Sequence, residues 1–281
     1  MSPDAAGTAA SGRATVLERI LGETRAELED RKRSVPLQQL EAQAGDRASS
    51  QTAGGGRFRR ALERPGIGVI AEFKRRSPSA GSLRKGAELA AVVTAYERAG
   101  ASALSVLTEG PNFDGSLADI EVARGACGLP VLRKDFVVDP YQLYEAVVAG
   151  ADAVLLIVAA LEQEELASLH DLALGLGLDV LVEVHDRDEF ACAERVGARL
   201  IGVNNRDLRD FSVDVGRTER LLAAMPAGTM VVSESGISEP RQLEQLERAG
   251  VAAVLVGESL MRAPEPEQAL AALLEGSSAQ S

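Results

Sequence analysis

The stretch VAGADAVLLIV (148–158) holds the pattern from which the fold is read. It opens on an alanine–glycine pair of the kind that ends a helix, because glycine enters the left-handed conformation of a helix C-terminus without steric cost. It then runs into the apolar AVLLIV (153–158), the length of a buried strand and too short for a helix. The same succession returns as ERAGAS (97–102) before ALSVLTE (103–109), RVGARL (195–200) before LIGVNN (200–205), and ERAGVA (247–252) before AVLVGE (253–258).

Outward from these units, VIAEFK (69–74), PVLRKD (130–135), DVLVEV (179–184) and MVVSES (230–235) complete a set of eight strands. Helical stretches separate them at spacings of roughly 20 to 35 residues, as repeated βα units require. Eight regular units predict an α/β fold, a (β/α)8 or TIM barrel. The competing architecture, an open doubly wound sheet, lacks its G-x-G-x-x-G after the first strand. Upstream, TVLERILGETRAELEDRK (15–32) reads as an amphipathic helix with apolar Val16, Leu17, Ile20, Leu21 and Leu28. A polar linker over 42–56, ending in AGGG, and a short helix over 57–63 follow. The expected organisation is one domain overall, with residues 1–66 as an N-terminal helical extension and linker packed on a barrel of residues 67–281.

Length and composition agree with this: an α/β barrel takes ~250 residues as one unit, and the chain has 281 residues, 46% of them hydrophobic. No apolar run approaches the ~20 residues of a membrane span, and the first residues carry no apolar signal segment, so the cytoplasm is the expected location. The formal net charge of −12 opposes nonspecific attraction to nucleic acid. Cys127 and Cys192 lie far apart and form no metal-type pair. The two histidines leave few parts for zinc or triad chemistry: His170 is expected to be a solvated helix residue, and His185, beyond Glu183, to turn to the other face as a structural residue.

Lysines are scarce: Lys32, Lys74, Lys85 and Lys134 stand among many arginines. An ammonium can lose its proton in a suitable site, whereas a guanidinium effectively cannot, so the position of a surviving lysine is informative. In a barrel of this kind the active site lies at the C-terminal strand ends. Those ends carry Glu72, Lys74, Lys134, Glu183, Asn204, Glu234 and Ser235. One strand-end Lys or Glu is often a structural ion pair. Two lysines and three glutamates converging on one mouth are tolerable only as a mutually paired set, and they read as a site.

Two loops add an anion-binding character. Ser235-Gly236 and Gly257-Glu258-Ser259 follow the seventh and eighth strands, where phosphate commonly binds in this fold, although such turns favour glycine and serine anyway. The loop RRSPSAGS (75–82), rich in small residues and cations, is suited to close over an anionic ligand, or is an ordinary solvated turn.

Taken in order, AEFKRRSPSAGSL (71–83), LPVLRKDF (129–136), LVEVH (181–185), GVNNRDL (202–208), VSESGI (232–237) and VGESLMR (256–262) resemble the strand-end motifs of indole-3-glycerol phosphate synthases. The likeness runs from Thr15 to Arg262 and includes the leading helix. It implies conversion of 1-(2-carboxyphenylamino)-1-deoxyribulose 5-phosphate to indole-3-glycerol phosphate, carbon dioxide and water, a carboxy-lyase step of tryptophan biosynthesis. It implies no cofactor and no metal, a small phosphorylated substrate as the partner, no nucleic acid or membrane partner, and a monomer.

Carried over residue by residue, the resemblance makes Lys134 the general acid of ring closure and Glu183 the other essential acid–base group. Lys74 and Glu72 flank the substrate carboxylate and the dehydration chemistry; Asn204, Glu234 and Ser235 fall on active-site positions, and Arg206 beside them. Phe136 and Leu208 match apolar positions that hold the aromatic ring. Ser77, Gly236, Gly257 and Glu258 (backbone) match the phosphate site, with Ser259 more loosely; serine often stands where this chain has Glu258. Alternatives are another phosphate-binding barrel enzyme, such as phosphoribosylanthranilate isomerase or a Schiff-base aldolase, and a noncatalytic barrel subunit.

Overall fold

The structure, a computed structural model, describes residues 15–50, 56–207 and 212–275. Leu208 and the first residues of the chain therefore lie outside the described residues. Eight parallel strands close into a barrel: β1 Gly68–Phe73, β2 Ala103–Leu107, β3 Val131–Lys134, β4 Ala153–Ile157, β5 Asp179–Val184, β6 Leu200–Asn204, β7 Met230–Glu234 and β8 Ala253–Val256. Each pairs with its neighbours in sequence, and β8 pairs with β1 to close the ring. Apart from β5, which ends at Val184 as expected, the strands end one or two residues earlier than the apolar patterns suggest.

Period-two alternation sorts each strand's side chains. Val69, Ala71 and Phe73 point outward into the layer shared with the surrounding helices, together with Leu104, Val106, Leu156 and Val182. Ile70, Leu132, Leu155, Leu181, Val232 and Leu255 point inward and fill the barrel. Each such aliphatic side chain contributes about 1.5–3 kcal/mol by leaving water.

The helices before β1 close the barrel's two ends. Helix α3, Arg57–Leu62, sends Phe58 and Leu62 into the interior cluster. Its Arg59 N–H donates to Asp179, the first residue of β5, at 2.9 Å, so α3 covers the N-terminal end. Helix α1, Val16–Ser34, starts with a reciprocal cap: Thr15 Oγ1 accepts from Glu18 N–H, and the Glu18 carboxylate accepts from Thr15 N–H. It lies at the opposite end. Arg19 donates to Asn112 at 2.9 Å, Lys32 pairs with Asp139 at 2.7 Å, and both acceptors sit in loops that leave the C-terminal ends of β2 and β3.

Two expectations need correction. The polar stretch 42–56 is not a linker throughout, because helix α2 runs Leu37–Ser50 and buries Leu40 and Ala44. Those residues are one helical turn apart, so a sparse apolar face suffices to dock a polar helix. His170 is not a solvated residue: it is buried on helix α4, Gln163–Gly175, on the face formed by Leu166, Leu169 and Ala173. Burial lowers its basicity below the ordinary histidine value.

Candidate active site

Toward the C-terminal ends of the strands the inward positions change from aliphatic to polar. Glu72 on β1, Lys134 on β3, Glu183 on β5, Asn204 on β6 and Glu234 on β7 meet above the apolar filling, around a cavity of about 380 Å3. Lys134 stands at its centre, with Nζ 3.2 Å from Glu183 Oε2 and 3.4 Å from Glu234 Oε2. Lys74 Nζ lies 2.7 Å from Glu72 Oε1, and Ser105 Oγ donates to the other Glu72 oxygen at 3.3 Å. Glu183 Oε1 accepts from Asn204 Nδ2 at 3.1 Å.

The charge states follow from burial and these partners. Burial works against the Lys134 ammonium, but Glu183, Glu234 and Glu72 surround it and hold its proton more tightly than an ordinary lysine does. Burial also works against the Glu183 carboxylate; Lys134 and His185 more than offset that and keep it ionised below the ordinary range. Glu234 goes the other way. Burial, and the neighbouring Glu183 and Glu72, push it up to about 7 despite Lys134. Its Oε1 is buried and has no hydrogen-bond partner among the described residues.

Two glycines make room for these carboxylates. A Cβ on Gly202 would overlap Glu234 Oε1, and one on Gly257 would overlap the Glu72 side chain. Their positions on an inward face, opposite long side chains, are a packing requirement that the sequence does not display.

One wall of the cavity is apolar, with Phe113, Phe136, Leu107 and Ile157. The two aromatic rings lie 6.2 Å apart, tilted by 38°. The opposite wall is built from Ser77, Ser79, Arg206, Ser235, Gly236, Gly257, Glu258, Ser259 and Arg262. The segment after β1 is ordered as a small hairpin, Arg76–Ser77 pairing with Gly81–Ser82, rather than an open turn. Arg206 reaches Ser79 Oγ at 3.2 Å and Glu258 Oε2 at 3.4 Å, while Arg262 reaches Glu258 Oε1 at 3.3 Å.

Ser235 has φ +66°, in the left-handed region that few non-glycine residues occupy, and Gly236 follows at φ +81°. Such a conformation persists when neighbours enforce it. Asn205 does so: its Nδ2 donates to Ser235 O at 3.0 Å and to Ser233 Oγ at 3.2 Å, and its Oδ1 accepts from Thr218 Oγ1 at 3.0 Å.

All the residues singled out from the sequence that fall among the described residues line this one cavity; Leu208 falls outside them. Ser79, from the loop read as suited to an anionic ligand, lines it too; Phe113, Ser238 and Arg262 also line it and were not anticipated. Phe113 had a usable signal, as one of only six phenylalanines, placed in the loop after β2. Arg262 had a weaker one, a helical turn beyond Glu258. His185 corrects an expectation. It stands two residues beyond Glu183, on the same side, and its ring nitrogen Nε2 lies 3.5 Å from Glu183 Oε1.

The surroundings of Phe136 show why the RKD segment precedes it. Arg133 points outward and is 1% exposed; its guanidinium pairs with Asp135 at 2.8 Å and donates to Gln142 O at 2.6 Å. Asp135 Oδ1 then accepts from Phe136 N–H at 2.8 Å and fixes the ring's entry into the cavity.

A sequence model described as indole-3-glycerol phosphate synthase matches residues 17–273. The indole-3-glycerol phosphate synthase of Kineococcus radiotolerans is 47% identical over 260 residues, 92% of this chain and 95% of that protein. That of Rhizorhabdus wittichii is 50% identical over 223 residues, 78% of this chain and 84% of that protein. Among solved structures, a thiamine phosphate pyrophosphorylase from Pyrococcus furiosus is similar with a TM-score of 0.56 at 17% identity, covering 75% of this chain and 95% of that one, a likeness of fold alone.

Proposed function

The chain belongs to the indole-3-glycerol phosphate synthase family, and from that premise we propose that it converts 1-(2-carboxyphenylamino)-1-deoxyribulose 5-phosphate to indole-3-glycerol phosphate, carbon dioxide and water. The observation that carries this assignment is Lys134, held between Glu183 and Glu234 and flanked by an apolar wall on one side and an anion-suited wall on the other.

The substrate is a flexible chain with an aromatic acid at one end and a phosphate at the other. Anchoring both ends brings the reacting carbons together, which can lower a barrier by several kcal/mol, about 7–11 in the best-oriented cases. The ring packs against Phe113 and Phe136. The phosphate sits against Ser77, Gly236, Gly257 and the backbone of Glu258, with Arg206 beside it and Ser259 more loosely placed.

Ring closure begins when the ring carbon that carries the carboxylate attacks the sugar ketone carbon. The C–C bond forms and the carbonyl electron pair moves onto oxygen. The Lys134 ammonium protonates or stabilises that oxygen. The attacked ring has lost aromaticity, and cleavage of the bond to the carboxylate returns an electron pair to it as carbon dioxide leaves. Lys74, paired with Glu72, binds the carboxylate without trapping it.

Dehydration follows. The hydroxyl leaves with a proton as water, and a proton is removed from the carbon next to nitrogen, so the indole double bond forms. Glu183 serves as the base in this step; Asn204, Glu234 and Ser235 orient the groups around it.

Among the described residues no helix is long and apolar enough to cross a membrane. We place the activity in the cytoplasm, in a monomer of one domain with a helical extension on the barrel, with no nucleic acid or membrane partner and no cofactor or metal.

The test is an indole-fluorescence assay with purified protein and this substrate in the presence of a chelator. Emission from indole-3-glycerol phosphate is expected. Silence from a folded protein would overturn the assignment.

A further inference from the structure

His185 occupies a position that the reaction scheme does not use. It follows β5 directly, and its side chain is 10% exposed, with one carboxylate on each side of the ring. Glu189, on helix α5 Arg187–Arg195, accepts from the His185 backbone N–H at 2.7 Å and lies 3.0 Å from Nδ1. On the other side, Nε2 makes no hydrogen bond among the described residues and faces Glu183 Oε1 at 3.5 Å.

The geometry limits the proton arrangements. With a proton on Nδ1 alone, the bare Nε2 lone pair faces a buried carboxylate oxygen. With a proton on Nε2 alone, the Nδ1 lone pair faces Glu189 at hydrogen-bonding distance. Each neutral tautomer sets a lone pair against an anion; the doubly protonated ring satisfies both sides.

We propose that His185 is a positioning residue for this reaction, an imidazolium clamped between Glu189 and Glu183 that keeps Glu183 a carboxylate and turns its Oε2 toward Lys134. This rests on the role assigned to Glu183 in the proposed reaction.

The division of the two Glu183 oxygens supports it. Oε1 is committed to the barrel wall, where Asn204 Nδ2 donates at 3.1 Å and His185 stands at 3.5 Å. Oε2 is left to the cavity, 3.2 Å from Lys134 Nζ. A base whose unused oxygen is fixed presents the other in one orientation, which is the preorganisation catalysis rewards.

The charges around the ring agree. Burial disfavours the imidazolium, but Glu189 and Glu183 outweigh burial and raise its basicity above the ordinary histidine value. Arg217, on helix α6 Arg217–Leu222, is the cation that opposes them, and it is engaged with Asn204 O at 2.8 Å.

The chain has only two histidines, so the experiment is direct. In 15N-histidine spectra of the whole protein, assigned with a His170→Asn variant, the His185 ring is expected to remain doubly protonated at pH 7.5 without substrate. Replacing Glu189 by Gln is expected to move its titration down by about one pH unit or more, as loss of one close ion pair does. A neutral His185 ring at pH 6.5–7.5 in the unaltered protein would overturn the proposal.

A kinetic arm follows His185→Asn. Its acid limb in kcat/KM, set by a Glu183 carboxyl that lies below the ordinary range in the unaltered protein, is expected to move up by about one pH unit, with losses that approach tenfold only at the acid end of the profile and vanish toward pH 8.5. An equal loss at every pH marks a purely structural role and also overturns the proposal. Absence of indole-3-glycerol phosphate formation by the unaltered protein sinks the proposed reaction instead, and the spectra distinguish that outcome.

Discussion

Lys134 on β3 and Glu183 on β5 meet across the barrel mouth at 3.2 Å, although the whole of β4 lies between their strands. Adjacent strands do not bring these groups together; barrel closure does, because inward side chains from alternate strands share a level.

Lys134→Ala removes the cation from this centre. Turnover is expected to fall by about 10²–10⁴-fold, the usual contribution of a positioned acid, with KM changed little because the ring and phosphate walls are intact. Steady-state kinetics of a variant with native circular dichroism checks this. Near-normal kcat would remove Lys134 from the chemistry.

Glu234 makes stability depend on pH in an unusual direction for a carboxylate. Between its ordinary value of 4.5 and about 7 the folded chain keeps a proton on Glu234 that the unfolded chain has released. Stability from this group is therefore present at low pH and lost as pH rises through about 7. Glu234→Gln is expected to raise the melting temperature more at pH 8 than at pH 5.5. Equal shifts at both values in thermal denaturation would contradict the assigned charge state.

Asn205 is 1% exposed and joins the ends of β6 and β7 through Ser233, Thr218 and the Ser235 carbonyl. Asn205→Ala frees Ser235 to leave its left-handed conformation, so the backbone of the phosphate wall loses its shape. KM and the inhibition constant of inorganic phosphate are both expected to rise about tenfold, or ~1.4 kcal/mol, with kcat reduced much less. A uniform fall in kcat with unchanged phosphate inhibition would refute this positioning role.

Gly202→Ala tests the carboxylate layer from behind. The added Cβ overlaps Glu234 Oε1, so Glu234 must turn and drag its contact with Lys134. Over-packing of this kind costs about 1–3 kcal/mol, and kcat is expected to drop at least tenfold while the barrel stays folded. Unchanged kcat would mean that the Glu234–Lys134 contact is dispensable.

Much of this protein is determined by local rules that its sequence states openly. Glycine after an alanine-ended helix, as at Gly150, and short apolar runs such as AVLLIV (153–158) depend only on nearby residues, so eight βα units can be counted along the chain. The polar residues at the strand ends are visible for the same reason, since two-residue alternation and strand length place Glu72, Lys134, Glu183 and Glu234 at one mouth. What the local pattern does not contain is pairing across the barrel and from the flanking helices. That His185 faces Glu183, that Gly202 yields space to Glu234, and that Arg19 of α1 anchors the loop carrying Phe113 are decided by closure and docking. So is the difference between two buried glutamates on the same lysine, one ionised and one near pH 7, because burial and neighbouring charge are properties of position in space and not of the residue.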